Sequence, residues 1–513
     1  MRTFKTPSFL MLALFAMLLF ACGTSKTNKE EATESTETTT STKRFVRKNA
    51  NTPEAAKDLA ALQVALDSMR KMDCSQTSSW YYQGAMHWVP ASLPNNPFCE
   101  SYHKSPGDLK TAWDNCTHAP NSESNFLLWH RLYIAHFERI VRKLSGYQDF
   151  ALPYWAYTDT TNVAVNLRMP QIYQDKTKSL YEVSRFDSLN NNYPVQGGIL
   201  PSLNLTNLFQ NTDFLIFTSN IDAAPHGAMH GYIGGGFNDL PIYNPIYQKT
   251  TGGGLMAHVP SAAFDPIFWT HHSNIDRVWQ QWTNSPNGSL VTLKDLQNQP
   301  WKYTFFDENG KEVNYTTQQV YDMIYKVDYD YDDTPTASEG IKSKSSLFLA
   351  IKSTADTMMK SKIGKKVSTG QNLKFVIQNP KKKDVKLLST ENATGKLVIM
   401  TVTVSFVKEP KGMFEVYVNL PDGAKRDQKS DYFAGYMTFF GAEHHATAHA
   451  SGGHDGMKMD MPMKLTKKFV FDMTKEFNNT KALNKSNLNV SIFKSAGKVK
   501  DEIVIEDVSF STH

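Results

Sequence analysis

Residues 264–279 read FDPIFWTHHSNIDRVW and residues 126–138 read FLLWHRLYIAHFE, and both stretches place histidines among aromatic and apolar side chains. Residues 225–230 read PHGAMH, so His226 and His230 are four residues apart. On a helix, four residues correspond to about 400° of rotation and about 6 Å of rise, which puts both imidazoles on one face. Two neutral imidazoles on one face can hold one metal ion. The pair lacks the glutamate of an HExxH zinc protease, so the sequence predicts a different kind of metal site on helices.

These segments resemble the two copper-binding signatures of the tyrosinase, catechol oxidase and haemocyanin superfamily. Residues 129–131 (WHR), followed by Phe137 and Glu138, resemble the end of its copper A motif. The DPIFWTHHSNIDRVW stretch, with HGAMH before it, resembles the copper B motif, and the whole resemblance covers roughly residues 54–325. It implies a mainly α-helical domain, in which a helical bundle with long loops holds a type-3 dinuclear copper site. It also implies a small phenolic substrate and O₂ as the co-substrate.

The resemblance implies the metal ligands as well. The family uses the second histidine of the copper B pair, which is His272 here. Adjacent helical side chains diverge by about 100°, so we expect His271 to be a neighbour only. His136 lies six residues after His130, about 120° away around the helix, and does not match a ligand position. One copper would be bound by His87, His118 and His130, and the other by His226, His230 and His272.

Six neutral nitrogen ligands without a carboxylate suit copper, whereas a pair of zinc ions typically recruits aspartate or glutamate. The function that the resemblance implies is the oxidation of o-diphenols to o-quinones by a copper polyphenol oxidase, and the oxidation of monophenols is left open. Two other classes of protein also stay open at this point. One is a haemocyanin-like O₂ carrier, and the other is a non-catalytic copper-binding surface lipoprotein.

Four positions are expected to shape the substrate pocket. Asp222 stands where plant relatives have glutamate, and Gly227 stands where some relatives have an asparagine that assists the deprotonation of monophenols. Glycine has no side chain to hold a water molecule, so Gly227 favours the oxidation of diphenols. Val259 is smaller than the phenylalanine at this gate position in many plant catechol oxidases and would leave the copper accessible. Gly231 is expected to leave the entrance open.

The cysteines predict two covalent links. Cys116 and His118 form a Cys-x-His sequence that resembles the one in fungal tyrosinases, where a thioether bond joins the cysteine sulfur to a copper-binding imidazole. A buried free thiol and a disulfide are the alternatives for Cys116. With the thioether formed, Cys74 and Cys99 are left to form a disulfide, which an oxidising compartment permits.

The N-terminal residues resemble the export signal of a bacterial lipoprotein. A basic start precedes an apolar run at residues 9–20, which is short for a membrane span, and the run ends in LFAC. We expect residues 1–21 to be a signal peptide, Cys22 to carry lipid and residues 22–52 to form a flexible tether. An ordinary signal peptide and a short anchor helix are the alternatives. The prediction is an exported lipoprotein, anchored to a membrane on the periplasmic side or at the cell surface.

The chain has 513 residues, 40% of them hydrophobic, which suggests two or three domains. Its net charge of +5 is small and the basic residues are scattered, so nucleic acid is not an expected partner. We expect the copper domain at residues 53–327, a linker at 328–345 and an antiparallel β-sandwich at 346–513. Short alternating segments such as 397–406 (LVIMTVTVSF) indicate the β-sandwich. Helical spacing predicts helices after Pro53 and at about 125–144, 226–232 and 272–282, with Gly146 ending the second.

The C-terminal half also resembles that of plant polyphenol oxidases, in residues 305–331 and in the later FEVYVNLPDG and DYFAGY stretches. In that family the β domain can cover the copper site until the linker is cleaved. A permanent structural domain is the alternative, and both stay open.

Residues 443–463 combine imidazoles and thioethers, which suit Cu(II) and Cu(I) respectively. They predict a copper-collecting loop, with a disordered insertion between two strands as the alternative. The ligands of this loop would be His444, His445, His449, His454, Met457, Met459, Met461 and Met463.

Overall fold

The structure is a computed structural model of the chain, and it describes residues 44–87, 125–289, 291–293, 296, 303–334, 356–368, 372–378, 397–442, 464–479, 487–497 and 502–512. The described residues from Arg44 onward belong to one compact unit. Several predictions fall outside the described residues: the signal peptide, Cys22 with the tether up to residue 43, Cys99, Cys116, His118, the linker from residue 335 and the loop 443–463.

The first part of the chain is a set of helices joined by long loops, which confirms the predicted mainly α-helical domain. Short 3₁₀ turns occur within these loops. In the described residues the helices are α1 (Ala56–Met69), α2 (Trp80–Ala85), α3 (Phe126–Ser145), α4 (Val163–Asn166), α5 (Asp187–Asn190), α6 (Phe214–Ile221), α7 (Ala228–Ile233), α8 (Val259–Ala262), α9 (Ile267–Thr283), α10 (Thr317–Tyr325) and, in the last part of the chain, α11 (Thr474–Asn479).

The strands of the described residues are β1 (Phe45–Arg47), β2 (Pro241–Asn244), β3 (Lys249–Gly252), β4 (Tyr303–Phe306), β5 (Glu312–Tyr315), β6 (Tyr329–Tyr331), β7 (Asp356–Ser368), β8 (Leu373–Gln378), β9 (Val398–Phe406), β10 (Met413–Val418), β11 (Phe433–Met437), β12 (Leu465–Asp472), β13 (Asn487–Ala496) and β14 (Glu502–Thr512). The last part of the chain forms two four-stranded sheets, in the orders β11-β10-β13-β8 and β12-β9-β14-β7. All neighbouring strands in both sheets are antiparallel.

The two sheets share one apolar core. Met400 and Val402 of β9 lie in the same buried cluster as Val416 of β10 and Ile492 of β13, which belong to the other sheet. Successive side chains of a strand point to opposite faces, so the alternating segments of the sequence turn their apolar residues inward. The predicted antiparallel β-sandwich is therefore confirmed.

The helices that carry the histidines begin and end for local reasons. Helix α3 ends at Gly146, whose φ of 73° is left-handed, as predicted. Helix α9 starts at Ile267, five residues before the expected start. Pro266 needs no N–H donor at this position, and the Asp265 carboxylate accepts a hydrogen bond from the Ile267 N–H (3.1 Å). The earlier start places both histidines of the pair in the second turn of the helix.

A buried ion network ties α3 to α9 directly behind the histidines. Arg131, next to His130, donates from Nε to Asp276 Oδ1 (2.5 Å), and Asp276 lies one turn after His272 on α9. Burial raises the pKa of Asp276, but the stronger combined effect of the arginines and tyrosine hydroxyls around it leaves that pKa below its ordinary value. Removing one partner of such a buried pair leaves an uncompensated charge, which costs about 3–5 kcal/mol.

Two predicted boundaries are wrong. The flexible tether was expected to reach residue 52, yet β1 pairs in parallel with β6, and Arg47 is buried against Glu138 (2.7 Å). The linker was expected to begin at residue 328, yet Tyr329 and Tyr331 of β6 are buried and donate to Asp276 Oδ2 (2.6 Å each). Both segments belong to the helical part, because their aromatic and arginine side chains complete its buried charge network.

The β-sandwich packs onto the helical part. Met413 of β10 belongs to the same buried cluster as the helical core, and Tyr436 and Phe440 pack against that cluster. The Thr438 hydroxyl donates to the Ala223 carbonyl (2.8 Å). In the described part of the chain, no helix has the length and apolar character needed to cross a membrane.

Candidate metal centre

The predicted ligands within the described residues come from separate elements. His87 follows α2, His130 lies on α3 and His272 lies on α9. His226 lies in a kinked turn, Asp222–Gly227, whose backbone leaves helical geometry at Ala224, and His230 lies on α7. All five side chains are at most 3% exposed. The fold therefore brings five of the six predicted ligands into its interior, and the sixth, His118, lies outside the described residues.

The imidazoles converge in two adjoining groups, in each of which the ligand nitrogens lie within 4.8 Å of one another. We name them the first group (His87, His130 and His272) and the second group (His226, His230, His271 and His272). His272 belongs to both groups and stacks on His130, with ring centroids 4.3 Å apart. The centroids of His226 and His230 are 4.5 Å apart, as expected for residues one helical turn apart. The arrangement offers places for two metal ions beside a shared imidazole.

Backbone carbonyls face the Nδ1 atom of several of these rings. A neutral imidazole whose Nδ1–H donates to a carbonyl presents the lone pair of Nε2 to the centre. The carbonyls and their distances from Nδ1 are Val259 for His87 (2.9 Å), Phe126 for His130 (2.8 Å) and Met256 for His230 (3.0 Å). Local backbone geometry thus selects which nitrogen of these rings can bind a metal.

The opposite nitrogens indicate what the centre binds. The Nε2 atoms of His226, His230, His271 and His272 are buried and have no hydrogen-bond partner in the described residues. One such buried atom costs about 1–3 kcal/mol, so four in one place indicate that a bound ion satisfies them. Both groups offer imidazole nitrogens and no carboxylate oxygen. This ligand set fits copper.

The imidazoles are held in the neutral form that binds metals. Burial, followed by repulsion from neighbouring imidazoles, holds the pKa of His130, His230 and His272 well below its ordinary value. Because protonation and metal binding compete for the same lone pair, a depressed pKa favours the metal.

A carboxylate supports the second group. Asp222 Oδ1 lies 3.0 Å from Nδ1 of His226, one turn along the chain, and the Asp222 carbonyl lies 3.3 Å from the same atom. A carboxylate that accepts from the far nitrogen of a ligand histidine fixes its ring and increases its basicity. The sequence placed Asp222 in the substrate pocket, and the structure places its carboxylate behind His226.

His271 lies closer to the centre than the 100° argument implies. One of its nitrogens is within 4.8 Å of the ligand nitrogens of the second group, and its ring stacks on His226 (centroids 5.4 Å apart). Its Nδ1 lies 2.8 Å from the hydroxyl of Tyr157, a contact that no sequence pattern indicated. Its assignment as a neighbour and not a ligand stays a prediction.

Sequence reasoning missed the contact of the β-sandwich with the second group. Phe440, three residues after β11, stacks on His230 with centroids 4.1 Å apart and planes inclined by 16°. A Cβ atom at Gly227 would lie 2.9 Å from Thr438 Oγ1 and 3.3 Å from the Phe440 Cβ. Glycine at position 227 therefore lets the segment 438–440 approach the metal centre, in addition to leaving no side chain to hold water.

The other two pocket positions differ from expectation. A Cβ atom at Gly231 would lie 2.8 Å from the ring of Phe237, so this aromatic ring fills the space that was expected to be an open entrance. Val259, the expected gate, is fully buried at the start of α8 and acts through its carbonyl on His87. Segments distant in sequence determine the surroundings of Gly231 and Val259, so a comparison of single residues with those of relatives does not reveal these contacts.

Two further residues complete the comparison with the sequence. His136 lies apart from both groups: its Nε2 is 2.6 Å from the Tyr315 hydroxyl, and burial lowers its pKa to about 3. This position agrees with its exclusion from the ligand set. Cys74 forms a disulfide bond, and its partner lies outside the described residues.

A helical protein with a buried, imidazole-only centre for two metal ions is the class that these observations define. Comparisons with known proteins agree. The model of the common central domain of tyrosinase matches residues 77–196 and 186–285, and a domain of unknown function (DUF7868) matches residues 350–512. The helical part of the chain is therefore similar to the common central domain of tyrosinase.

Individual relatives extend the likeness. A tyrosinase (HcTyr1) of Hahella sp. (strain CCB-MM4) is 28% identical over 277 residues, which cover 50% of this chain and 57% of the relative. Polyphenol oxidase C of Solanum lycopersicum is 24% identical over 348 residues, covering 61% and 53%. The chain thus spans little more than half of the length of these relatives.

Two solved structures share the fold of both parts of the chain. Latent apple tyrosinase superposes with a TM-score of 0.58 at 18% identity, over 91% of this chain and 97% of that one. A latent aurone synthase superposes with a TM-score of 0.61 at 18% identity, over 92% and 90%.

Proposed function

We propose that the protein is a type-3 copper oxidase that converts o-diphenols to o-quinones with O₂. The observation that carries this proposal is the convergence of six buried imidazoles, five of them predicted ligands, in two adjoining groups that share His272. The relatives named tyrosinase and polyphenol oxidase support it. Two o-diphenol molecules each lose two electrons and two protons. One O₂ molecule takes up the four electrons and four protons and becomes two water molecules.

Copper ions bound in the two groups would supply the electron transfer between phenol and O₂. The chain itself orients the ligands and keeps water away. Phe126 lies 4.5 Å from His226 and Phe268 lies 4.1 Å from His272, measured between ring centroids. Such an apolar wall strengthens the electrostatic interactions inside the site and excludes side reactions with water.

The substrate preference that we propose is for diphenols, with weak or lagging activity on monophenols. Gly227 supports it, because the glycine leaves no side chain to position a water molecule for deprotonation. The test is O₂ uptake by the copper-loaded protein with catechol and with tyramine. Equal turnover of the two substrates would contradict the argument from Gly227.

The same assay separates oxidation from the two alternatives. An O₂ carrier of haemocyanin type binds O₂ reversibly and leaves catechol unchanged. A copper-binding lipoprotein without catalysis retains its copper on loop 443–463 when His272 is replaced. The oxidase proposal requires sustained O₂ uptake with catechol that disappears in His272→Ala.

We also propose that the β-sandwich covers the centre until the linker is cut. The stacking of Phe440 on His230 supports a cover, since a substrate ring approaching His230 from that face would meet Phe440. Limited proteolysis followed by a catechol assay tests the proposal: activity should rise as the 346–513 fragment is released. Unchanged activity after complete cleavage and dissociation would indicate a permanent structural domain.

Two proposals concern the segments outside the described residues. Residues 443–463 are proposed to collect copper, so their deletion should raise the copper concentration needed for activity while the rate at saturating copper is retained. Cys22 is proposed to carry lipid, so labelled palmitate should be incorporated into the wild-type protein and not into Cys22→Ser. Equal copper requirements, or no incorporation of label, would contradict the respective proposal.

A further inference from the structure

A cleft of about 310 Å³ lies between the helical part and the β-sandwich. One wall consists of residues from the loop between 201 and 212, together with Asn220 and Asn287. The other wall consists of residues from 428–436 and 472–476. Ligand sites occur preferentially at such interfaces, and the volume is at the lower end of the range of about 300–1,000 Å³ for small-molecule pockets.

The helical wall is rich in carboxamides, whose positions are fixed by hydrogen bonds. Asn220 Nδ2 donates to Asn211 Oδ1 (3.1 Å), and Asn287 Nδ2 donates to the Phe209 carbonyl (2.9 Å). Asn204, Asn207 and Gln210 line the same wall. A carboxamide has both a hydrogen-bond donor and an acceptor. A hydroxyl group can pair with either one, because it can both donate and accept.

The β-sandwich wall adds hydroxyl, amide and carboxyl groups. Gln428 and Ser430 line it, and so does Tyr436, whose buried hydroxyl has no hydrogen-bond partner in the described residues. Phe433 supplies an apolar side chain on the same wall, and Leu205 supplies one on the helical wall. The cleft therefore alternates hydrogen-bonding groups with apolar patches.

The electrostatics of the cleft favour an uncharged ligand. Burial raises the pKa of Glu476 to about 8, so this carboxyl group carries a proton at neutral pH and can donate as well as accept. Burial also raises the pKa of Asp472. Lys475 Nζ lies 3.9 Å from Asp431 Oδ1 and offsets its charge. Neither a cation nor an anion finds a strong unpaired counter-charge on these groups.

We propose that the cleft binds a neutral polyhydroxylated molecule of the sugar class, held between the helical part and the β-sandwich. The carboxamides and hydroxyls of the two walls would bond to its hydroxyl groups, while Phe433 and Leu205 would pack against its C–H faces. A phenol has one or two hydroxyl groups and would leave most of these polar groups unsatisfied, which costs binding free energy. The proposal is independent of the oxidase activity.

The test uses the full chain and a panel of defined sugars. Isothermal titration calorimetry is carried out with methyl glucoside and cellobiose as neutral probes, and with glucuronate and glucosamine as charged ones. Asn207→Trp fills the cleft from the helical wall and Ser430→Trp fills it from the other. Thr206→Trp and Lys429→Trp are matched controls, because these exposed neighbours do not line the cleft.

We expect a neutral sugar to bind saturably, and each filling variant to weaken its binding at least about tenfold, or about 1.4 kcal/mol. The control variants should bind like the wild type. A ligand that touches both walls should also raise the unfolding temperature of the wild type and not that of the filled variants. The proposal is overturned if no neutral sugar binds, if only the charged sugars bind, or if the filled variants bind as tightly as the controls.

Discussion

The two histidine groups of the metal centre are built in different ways. The rings around His87 and His130 come from the helical part, where Trp129, Tyr133 and Phe268 pack against them. In the second group, His226 lies in a kinked turn and His230 on a short helix, and the β-sandwich reaches them through Phe440. The first group is thus set by the core of the helices, whereas the second depends on local turn geometry and on a neighbouring domain.

This difference indicates which of the two histidine groups can be altered without disturbing the protein core. A ligand on a long packed helix such as α3 cannot shift without disturbing the core. The histidines of the turn and the short helix depend on fewer contacts. The Asp222 carboxylate lies behind His226, and the Phe440 ring stacks on His230. We therefore expect changes in the second group to act on affinity and access, and changes in the shared His272 to affect both sides.

The largest expected effect is that of replacing the shared ligand. His272→Ala should abolish catechol oxidation and reduce the copper content below two ions per chain, because this imidazole belongs to both groups. Atomic absorption and O₂ uptake measure the two outcomes. His136→Gln is the matched control: His136 is an equally buried histidine outside both groups, and the variant should retain its copper. Full copper content in His272→Ala would show that the two groups do not share this ligand.

Replacing the carboxylate behind His226 should affect the second group alone. Asp222→Asn keeps the size of the side chain but removes the charge that orients the ring, and loss of such a partner typically costs about 10–100-fold in metal affinity. Competition with a copper chelator measures the affinity of each ion. The ion bound by the second group should lose affinity, while the affinity of the ion bound by the first group is retained. Asp187→Asn, which replaces an exposed carboxylate, should change neither affinity. An equal loss at both ions would contradict the separation of the two groups.

Removing the ring in front of His230 should open the second group. Phe440→Ala should increase the rate of catechol oxidation several-fold at unchanged copper content, because the ring stacks on His230 and donates no ligand atom. Steady-state assays with catechol and with a bulkier diphenol measure access. Tyr243→Ala, which truncates an exposed aromatic ring, is the control. Unchanged rates with both substrates would show that Phe440 does not limit entry.

The same contrast explains how far the sequence could predict the site. His130 and His272 lie in long stretches with helical periodicity. Gly146 indicated the end of α3, whereas the start of α9 after Asp265-Pro266 lies five residues before the predicted one. Local patterns of this kind are sufficient to place a side chain on a buried helix face. The strands of the sandwich were equally predictable, since the alternation of side-chain types in residues 397–406 matches β9.

Contacts between distant segments could not be predicted from the sequence. The approach of Thr438 and Phe440 to Gly227 depends on how two domains pack, and no local pattern encodes it. The ring of Phe237 at Gly231 is another such contact. The burial of Arg47 belongs to the same kind, because its partners Glu138 and Asp276 lie on helices far along the chain. Sequence reasoning therefore located the helical histidines that converge in the interior and missed what surrounds them.

The last predicted effect concerns stability, at the interface away from the metal. Burial raises the pKa of Glu476 from 4.5 to about 8, so the folded chain holds a proton that the unfolded chain releases above its lower pKa. This group therefore makes the folded state less stable as the pH rises from about 5 to about 8. Glu476→Gln cannot lose a proton and should be more stable than the wild type by about 4 kcal/mol at pH 8 and by only about 1 kcal/mol at pH 5. Urea unfolding at both pH values measures the change, and Glu502→Gln, on the exposed side of β14, should show none. A stability difference for Glu476→Gln that does not depend on pH would show that folding does not raise the pKa of this carboxyl group.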